Sequence, residues 1–274
     1  MYLRFLKMNS YGNDFVITKR RYITVNKFAD RNLHVGYDQQ ICFRYLSKNL
    51  FACHILNADG TVAYNCFNGL RCVSKFLFNA TGLSKVYLLT RLACYKFLLS
   101  DVFPGKIVSV LNNPVSVLDE TVAFNYRYMF FRTINFNTQV SFFLTRYYFT
   151  YLFIGNPHAV FLTSINKVRL CTFYNKFLAC GMFLYGINVS FFDLKTKTVL
   201  TYERGVGFTC SCGTGTLACC IAYFFGLFIS TITVFCRTGS LLFSSYSCVS
   251  FSLLGSSVFS YVGIIKFNDY RFKK

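Results

Sequence analysis

Alternating apolar and polar positions recur along the chain and predict many short strands. The alternation is clear in HAVFLTS (158–164), KTKTVLTY (195–202) and the serine-rich SLLFSSYSCVSFSLL (240–254). Side chains of a half-buried strand point in turn to the core and to solvent, which produces this period of two. The sequence therefore predicts a protein rich in sheet.

Two segments depart from this alternation and predict helices. Apolar residues recur at helical spacing at Leu70, Val73, Phe76 and Leu77, so a helix is expected to begin near Gly69. The segment TLACCIAYFFGLF (216–228) is apolar on all sides. Such a composition is typical of a helix in the centre of a domain.

The two halves of the sequence carry the same motifs in the same order. GNDF begins at Gly12 and CFNG at Cys66, whereas GNPH begins at Gly155 and CGTG at Cys212. A polar residue precedes each cysteine by nine positions, and each cysteine begins a Cys-x-x-Gly motif that leads into a predicted helix. This repeat predicts an α/β fold of the α+β type with two pseudo-symmetric halves. Each half would be a mainly antiparallel sheet wrapped round a central buried helix, with the active site in the cleft between the halves.

The repeat also suggests domain boundaries. Residues 1–118 would form the first half and residues 119–263 the second, and the tail 264–274 is a candidate to join the first half. We expect Cys66 and Cys212 to lie at the two helix N-termini.

A cysteine at a helix N-terminus has a definite chemistry. The helix end offers unpaired N–H groups and partial positive charge, which bind anions and lower the pKa of a thiol placed there. If both helix ends approach one substrate, one thiolate can remove an α-proton while the other thiol delivers a proton to the opposite face. The expected reaction is inversion of a carbon centre by a coupled pair of thiols.

Composition narrows the remaining possibilities. The net charge of +19 arises because acidic residues are few, with 10 Asp and Glu against 29 scattered Lys and Arg, so we expect no nucleic-acid partner. The first residues contain no apolar run of signal-peptide length, and the 13 cysteines are expected to be reduced in the cytoplasm. Uncharged stretches at 205–236 and 238–265 are long enough to span a membrane, but Gly, Thr and Ser interrupt them. A buried helix followed by strands explains the same residues.

The cysteines outside the Cys-x-x-Gly motifs have simpler interpretations. The cluster CSC with CC (210–220) could offer ligands to zinc, but structural zinc sites favour Cys pairs separated by two to four intervening residues, so no metal site is expected. All cysteines other than Cys66 and Cys212 are interpreted as small buried apolar residues. They are Cys42, Cys53, Cys72, Cys94, Cys171, Cys180, Cys210, Cys219, Cys220, Cys236 and Cys248.

Six motifs, taken in order, resemble those of the diaminopimelate epimerase family over essentially the whole chain. They are KMNSYGNDF (7–15), GYDQ (36–39), NADGTVAYNCFNGLRC (57–72), GNPHAV (155–160), INVSF (187–191) and ERGVGFTCSCGTG (203–215). The resemblance implies an epimerase without cofactor or metal that interconverts LL- and meso-2,6-diaminopimelate in lysine and peptidoglycan precursor synthesis. It also implies a homodimer.

The resemblance further implies a role for each matching position. Cys66 and Cys212 would be the acid and base, and the backbone amides of Phe67, Asn68, Gly213 and Thr214 would hold the reacting carboxylate. His158 and Glu203 would tune the thiols. The substrate-binding side chains would be Asn13, Gln39, Asn57, Asn156, Asn188, Glu203 and Arg204, of which the last two would bind the amino and carboxylate groups at the non-reacting end.

Four positions depart from the family pattern. Phe67 replaces a glycine and would be strained if the position required a positive φ. Ser10 also replaces a glycine, Val62 stands in place of an acid and Phe208 in place of a glutamate. A weakened or inactive epimerase is therefore one alternative, and a non-catalytic basic or membrane-associated binding protein is another.

Overall fold

A computed structural model of the chain forms two compact units. It describes residues 2–19, 26–103, 106–112, 135–142, 145–179, 183, 186–224, 230–247 and 250–266. Unit 1 comprises Met1–Val110 and Leu254–Lys274, and unit 2 comprises Leu111–Leu253. The boundary expected at residue 118 and the end of the tail, 267–274, lie outside the described residues.

Unit 1 contains most of the N-terminal strands and one long helix. Its strands are β1 (Tyr2–Ser10), β2 (Asn13–Lys19), β3 (Gln39–Ser47), β4 (Leu50–Asn57), β5 (Val62–Ala63), β6 (Lys85–Leu89), β7 (Cys94–Leu99), β8 (Lys106–Asn112) and β18 (Val258–Lys266), with a short 3-10 helix at Asn26–Ala29 and helix α1 at Phe67–Thr81. Strand β18 pairs along β1, and unit 1 resumes at Leu254.

Unit 2 contains the remaining elements. Its strands are β9 (Asn135–Phe142), β10 (Thr145–Phe153), β11 (Pro157–Phe161), β12 (Asn188–Asp193), β13 (Thr198–Glu203), β14 (Gly207–Thr209), β15 (Ser230–Cys236), β16 (Gly239–Ser247) and β17 (Ser250–Ser256), and its helices are α2 (Lys167–Ala179) and α3 (Gly213–Phe224). Strands β8 and β17 both run across the division between the units.

The two units repeat one topology. In unit 1, β1 and β2 are antiparallel, β2 and β3 parallel, β3 and β4 antiparallel, and β5 leads into α1. In unit 2, β10 and β11 are antiparallel, β11 and β12 parallel, β12 and β13 antiparallel, and β14 leads into α3. The turns before β2 and β11 both need positive φ, which Gly12 (80°) and Gly155 (74°) supply. The predicted α+β fold with two pseudo-symmetric halves is confirmed.

Each unit packs its sheet on a buried helix. Helix α1 buries Leu70, Val73 and Leu77 and ends where Gly82 adopts φ 71° and donates its N–H to the Phe78 carbonyl oxygen. Helix α3 is buried from Gly213 to Ala222. Alternation in the sheets places their apolar residues against these helices, because a strand exposes its two faces in turn.

Within the uncharged stretch 205–236, the described residues include a buried helix and a later strand, as expected. Helix α3 ends at Phe224 and β15 begins at Ser230. Within the described part of the chain, no helix is long and apolar enough to cross a membrane.

Candidate active site

Cys66 caps the N-terminus of α1. Its backbone is extended (φ −155°, ψ 99°), its carbonyl oxygen accepts the first helical hydrogen bond from Leu70 N at 2.9 Å, and its Sγ accepts from Gly69 N at 3.4 Å. The half-buried thiol therefore lies beside the N–H groups of the first helical turn. These groups favour negative charge at the helix end.

Gly69 allows α1 to approach the sheet closely. A Cβ atom on this glycine would lie 2.4 Å from Ile41 Cδ1 and 3.0 Å from Phe15 Cε1. Contacts this short require neighbouring side chains to move, so the glycine of the first Cys-x-x-Gly motif is set by packing.

Phe67 is accommodated without backbone strain. It is the first residue of α1 and is absent from the described non-glycine residues with positive φ. Its buried ring packs edge-on against Tyr95, with centroids 5.2 Å apart. The strain that a positive φ would have caused at this departure does not arise.

The next residue, Asn68, turns its side chain inward. Its Oδ1 accepts a hydrogen bond from Arg71 Nη1 at 2.9 Å, and the fully buried Arg71 also donates to Ser10 Oγ at 3.1 Å. Ser10 in turn donates to the Ser256 carbonyl oxygen at 2.8 Å. The hydroxyl of Ser10, which stands where the family pattern has a glycine, therefore completes a buried network that supports the first turn of α1.

Gln39 and Asn57 lie directly opposite one another at the start of β3 and the end of β4. Gln39 Nε2 donates to Asn57 Oδ1 at 2.8 Å, and Asn57 Nδ2 donates to Thr61 Oγ1 at 3.0 Å. Both amides are at least nine-tenths buried. The strand register thus brings together two of the predicted substrate-binding residues.

Asn13 is held by a cluster of charged residues that sequence reasoning missed. Its Nδ2 donates to Asp38 Oδ2 at 2.7 Å. Arg31 bridges Asp38 and Asp14 with distances of 2.6 to 2.9 Å, and Lys7 Nζ lies 2.8 Å from Asp14 Oδ2 and donates to the Gly36 carbonyl oxygen. Three of these charged residues fall within the motifs KMNSYGNDF and GYDQ, so the sequence motifs already contained most of the cluster.

The two carboxyl groups of this cluster differ in acidity. Burial raises the pKa of Asp38 above its ordinary value. Burial acts in the same direction on Asp14, but hydrogen bonds from Arg31 and Lys7 outweigh it and hold the pKa of Asp14 below its ordinary value. The cluster therefore keeps Asp14 ionised and fixes Asp38 beside Asn13.

Cys212 caps α3 as Cys66 caps α1. Its carbonyl oxygen accepts from Thr216 N at 2.8 Å and its Sγ accepts from Gly215 N at 3.3 Å. Thr214 Oγ1 lies 3.4 Å from the same sulfur, and the thiol is buried. A Cβ atom on Gly215 would meet the hydroxyl oxygens of Ser190 and Thr201 at 2.9 Å.

His158 lies within unit 2 and is fully buried. Strand pairing places it beside Asn188, and neither ring nitrogen has a hydrogen-bond partner among the described residues. Burial, reinforced by the positive charge of Arg204, lowers the pKa of His158 to about 3. The ring is therefore neutral at physiological pH.

The remaining predicted residues of unit 2 lie at strand ends. Asn188 Oδ1 accepts from the backbone N–H of Arg204 at 2.9 Å, and Glu203 Oε1 accepts from Thr209 Oγ1 at 2.5 Å. Thr209 was missed by sequence reasoning. Asn156 is half-buried in the turn before β11, where its carbonyl oxygen accepts from Ile154 N at 3.0 Å.

Two further departures from the family pattern have packing roles. Val62 of β5 pairs with Leu56 of β4, and Phe208 packs against the aromatic core of unit 2. Each apolar side chain therefore has an apolar neighbourhood in place of the acid.

Cysteines outside the motifs differ in exposure, and the expected burial is wrong for three that are only half-buried, namely Cys171, Cys210 and Cys236. Cys180 and Cys248 lie outside the described residues. Burial raises the pKa of Cys53, Cys72, Cys219 and Cys220, which makes them unreactive packing residues. Cys94 is exposed, so its interpretation as a buried residue is wrong; it is the first residue of β7. The described cysteines form no disulfide bond, and the described residues contain no group of three His, Cys, Asp or Glu placed to hold a metal ion.

Solved structures share this fold. A hydroxyproline epimerase from Agrobacterium vitis superposes with a TM-score of 0.68 at 12% identity, covering 98% of this chain and 93% of that chain. A probable proline racemase from Agrobacterium radiobacter K84 gives a TM-score of 0.64 at 11% identity, covering 97% and 93%. At such identities the likeness establishes the fold alone.

Sequence relatives identify the chemistry more closely. Diaminopimelate epimerase of Rickettsia akari (strain Hartford) is 30% identical over 223 residues, 78% of each chain, and that of Rickettsia prowazekii (strain Madrid E) is 30% identical over 227 residues, 79% of this chain and 80% of the relative. No protein-family model matches the sequence.

Fold and relatives together define an amino-acid epimerase, an enzyme of the isomerase class. Within that class, the chain belongs to the diaminopimelate epimerase family.

Proposed function

We propose that this chain interconverts LL- and meso-2,6-diaminopimelate without a cofactor, with Cys66 and Cys212 as the two proton-transfer groups. The observation that carries the proposal is that both thiols cap a helix N-terminus in the same way, each Sγ accepting from the third helical N–H. The reaction would serve lysine and peptidoglycan precursor synthesis in the cytoplasm, and the enzyme would act as a homodimer.

The proposed proton transfer balances in one turnover. One thiolate removes the α-proton and becomes a thiol, and the electron pair left on the α-carbon delocalises into the substrate carboxylate. The other thiol then gives its proton to the opposite face of the carbon and becomes a thiolate. The two cysteines therefore exchange protonation states, and the enzyme catalyses the reverse reaction from its product form.

Backbone amides would stabilise the charge that develops on the carboxylate. The candidates are the N–H groups of Phe67 and Asn68 at α1 and of Gly213 and Thr214 at α3, which lie in the first turns of their helices. Donors fixed before the reaction starts need no reorganisation in the transition state.

Side chains would hold the rest of the substrate. The proposed residues are Asn13, Gln39, Asn57, Asn156, Asn188, Glu203 and Arg204, whose amide, carboxylate and guanidinium groups suit a substrate with two zwitterionic centres. His158 and Glu203 would tune the thiols, and His158 would do so as a neutral ring.

Proton exchange in deuterated water tests the proposal. Each stereoisomer is incubated with the wild-type protein, and deuterium at the α-carbons is followed by NMR together with interconversion. We expect Cys66→Ser and Cys212→Ser each to reduce interconversion by about 10²- to 10⁴-fold, the usual contribution of a positioned acid or base. Cys94→Ser, which alters an exposed thiol outside both motifs, is the matched control and should retain the wild-type rate.

The two variants also separate the roles of the thiols. With one thiol removed, the other can still remove and return the proton on its own face. One variant should therefore retain exchange at an L-centre of the LL isomer and the other at the D-centre of the meso isomer. Interconversion that survives in the Cys66→Ala, Cys212→Ala double variant would refute the mechanism. A folded wild-type protein without any exchange would instead identify an inactive homologue.

A further inference from the structure

Gln39 carries a buried acceptor with no donor. Its side chain is 5% exposed, and its Oε1 has no hydrogen-bond partner among the described residues, although its Nε2 donates to Asn57. An acceptor left unpaired in the interior destabilises the folded protein. Such a group is a place where a ligand donor can be recognised.

The orientation of Gln39 is fixed by a chain of hydrogen bonds that begins at Asp59. A carboxylate can only accept, so the Thr61 hydroxyl, 2.6 Å from Asp59 Oδ1, must direct its single proton to Asp59. The Thr61 backbone N–H, 2.8 Å from the same oxygen, holds the hairpin in place. Thr61 Oγ1 is thereby left as an acceptor for its other neighbour.

The direction set at Thr61 passes through both amides. Asn57 must present its NH2 group to Thr61, 3.0 Å away, and therefore its oxygen to Gln39. Gln39 must then present its NH2 group to Asn57, 2.8 Å away. The remaining atom, Gln39 Oε1, cannot exchange places with the nitrogen without breaking the chain.

We infer that Asp59 and Thr61 are positioning residues that hold Gln39 Oε1 as an acceptor for an ammonium group of the substrate. The inference rests on the proposed function, because that function supplies a substrate with two ammonium groups. A carboxylate has no proton to donate and would be repelled by a carbonyl oxygen, so the same atom discriminates between the two charged groups of an amino acid.

Asn13 is oriented by the same logic. Its NH2 group faces Asp38 Oδ2 at 2.7 Å, so its Oδ1 is directed away from the charged cluster. Asp38 directly precedes Gln39, the first residue of β3. Two acidic side chains, Asp38 and Asp59, therefore turn two neighbouring amides so that each offers an oxygen atom.

Thr61→Val tests the chain because it removes the hydroxyl and keeps the side-chain shape. Thr61→Ser restores the hydroxyl, and Thr81→Val is the matched control, since the Thr81 hydroxyl lies at the far end of α1, where it donates to the Leu77 carbonyl oxygen and accepts from the Leu83 N–H. The first readout needs no ligand: hydrogen exchange of the Gln39 side-chain NH2 group by NMR. We expect exchange at least about tenfold faster in Thr61→Val, and wild-type protection in Thr61→Ser and Thr81→Val, because a lost hydrogen bond is equivalent to roughly this factor.

The second readout is binding of diaminopimelate and of pimelate, which lacks both amino groups. Calorimetry should show that Thr61→Val binds diaminopimelate about tenfold more weakly than wild type and binds pimelate with unchanged affinity. Thr61→Ser should bind diaminopimelate with the wild-type affinity. In kinetic assays the variant should raise KM more than it lowers kcat. Equal loss of both ligands would mean a general structural role and would overturn the inference, as would an unchanged NH2 exchange rate.

Failure of this inference is distinguishable from failure of the proposed function. If wild-type protein exchanges the α-proton but binds diaminopimelate no better than pimelate, the ammonium acceptor is wrong and the epimerase remains. If the protein discriminates the two ligands through Thr61 but exchanges no α-proton, the positioning residues remain and the proposed function is wrong.

Discussion

The N-termini of α1 and α3 have the same backbone arrangement in different surroundings. Each begins with a cysteine whose sulfur accepts from the third helical N–H, at 3.4 Å for Cys66 and 3.3 Å for Cys212. Each has a glycine at that third position, where a side chain would collide with the sheet. The elements that fix a thiol at a helix end are therefore present twice.

The surroundings of the two caps differ in polarity. Gly69 faces the apolar side chains of Ile41 and Phe15, whereas Gly215 faces a hydroxyl pair, Ser190 and Thr201, 2.9 Å apart. In the motifs GNDF and GNPH, Phe15 of unit 1 corresponds to His158 of unit 2, and both are fully buried. Both caps share the cysteine and the glycine, whereas the residues beneath them are apolar in unit 1 and polar in unit 2.

The largest expected effect comes from the histidine that only unit 2 has at this position. The folded-state pKa of His158 is about 3, below its ordinary value of 6.5, so the unfolded chain binds more protons between these pH values. The contribution of His158 to the free energy of unfolding is fully present above pH 6.5 and is lost as the pH decreases towards 3. The loss from this group is on the order of 5 kcal/mol. His158→Phe, which copies unit 1, should remove that part of the pH dependence.

Urea unfolding at pH 7, 6, 5 and 4 measures this difference. The partly buried His54, whose pKa burial also lowers, and the carboxyl group of Asp14 add their own slopes in both proteins. Only the difference between wild type and His158→Phe is diagnostic. Identical slopes would mean that His158 is protonated in the folded protein or that its site opens before it titrates.

A smaller effect is expected when a methyl group is added at the two glycines. Gly69→Ala and Gly215→Ala should each destabilise the fold by about 1–3 kcal/mol, because overpacking outweighs the better helix propensity of alanine. At Gly69 the closest atom is Ile41 Cδ1, at 2.4 Å. Ile41→Val removes that atom, so it should recover part of the loss in the Gly69→Ala background.

The same Ile41→Val change provides the control, because it should not rescue Gly215→Ala. Chemical denaturation of the two single and two double variants gives the coupling energies. If Ile41→Val rescues neither variant, contact with this methyl group is not the reason for the glycine.

Sequence reasoning located the features that are local and repeated. The Cys-x-x-Gly motifs, the buried helix after Cys212 and the strand at Thr198–Glu203 all follow from short patterns. The apolar spacing begins at Leu70 and predicts a helix start near Gly69, whereas α1 begins at Phe67, directly after the Cys66 cap that the repeat predicts. Helix boundaries depend on such caps more than on periodicity.

Helix α2 was missed although its signals are present in the sequence. Leu170, Phe173, Tyr174 and Phe177 are buried at helical spacing, and Asn166 Oδ1 accepts from Arg169 N at 2.9 Å as an N-cap. The charged cluster around Asp38 is a different case. It joins residues from β1, β2 and the loop before β3, so only strand order and register bring it together.

The smallest expected effect separates the structural role of each cysteine from its proposed chemistry. Cys66→Ala removes the cap acceptor for Gly69 N and should cost about 1 kcal/mol, as other cap deletions do. Cys212→Ala should cost more, because this thiol is buried and also contacts Thr214 Oγ1. Serine at either position retains an acceptor, so Cys66→Ser should unfold at nearly the wild-type urea concentration while losing interconversion. If Cys66→Ala is as stable as Cys66→Ser, the sulfur does not cap the helix, and the shared geometry of the two thiols would have to be explained by chemistry alone.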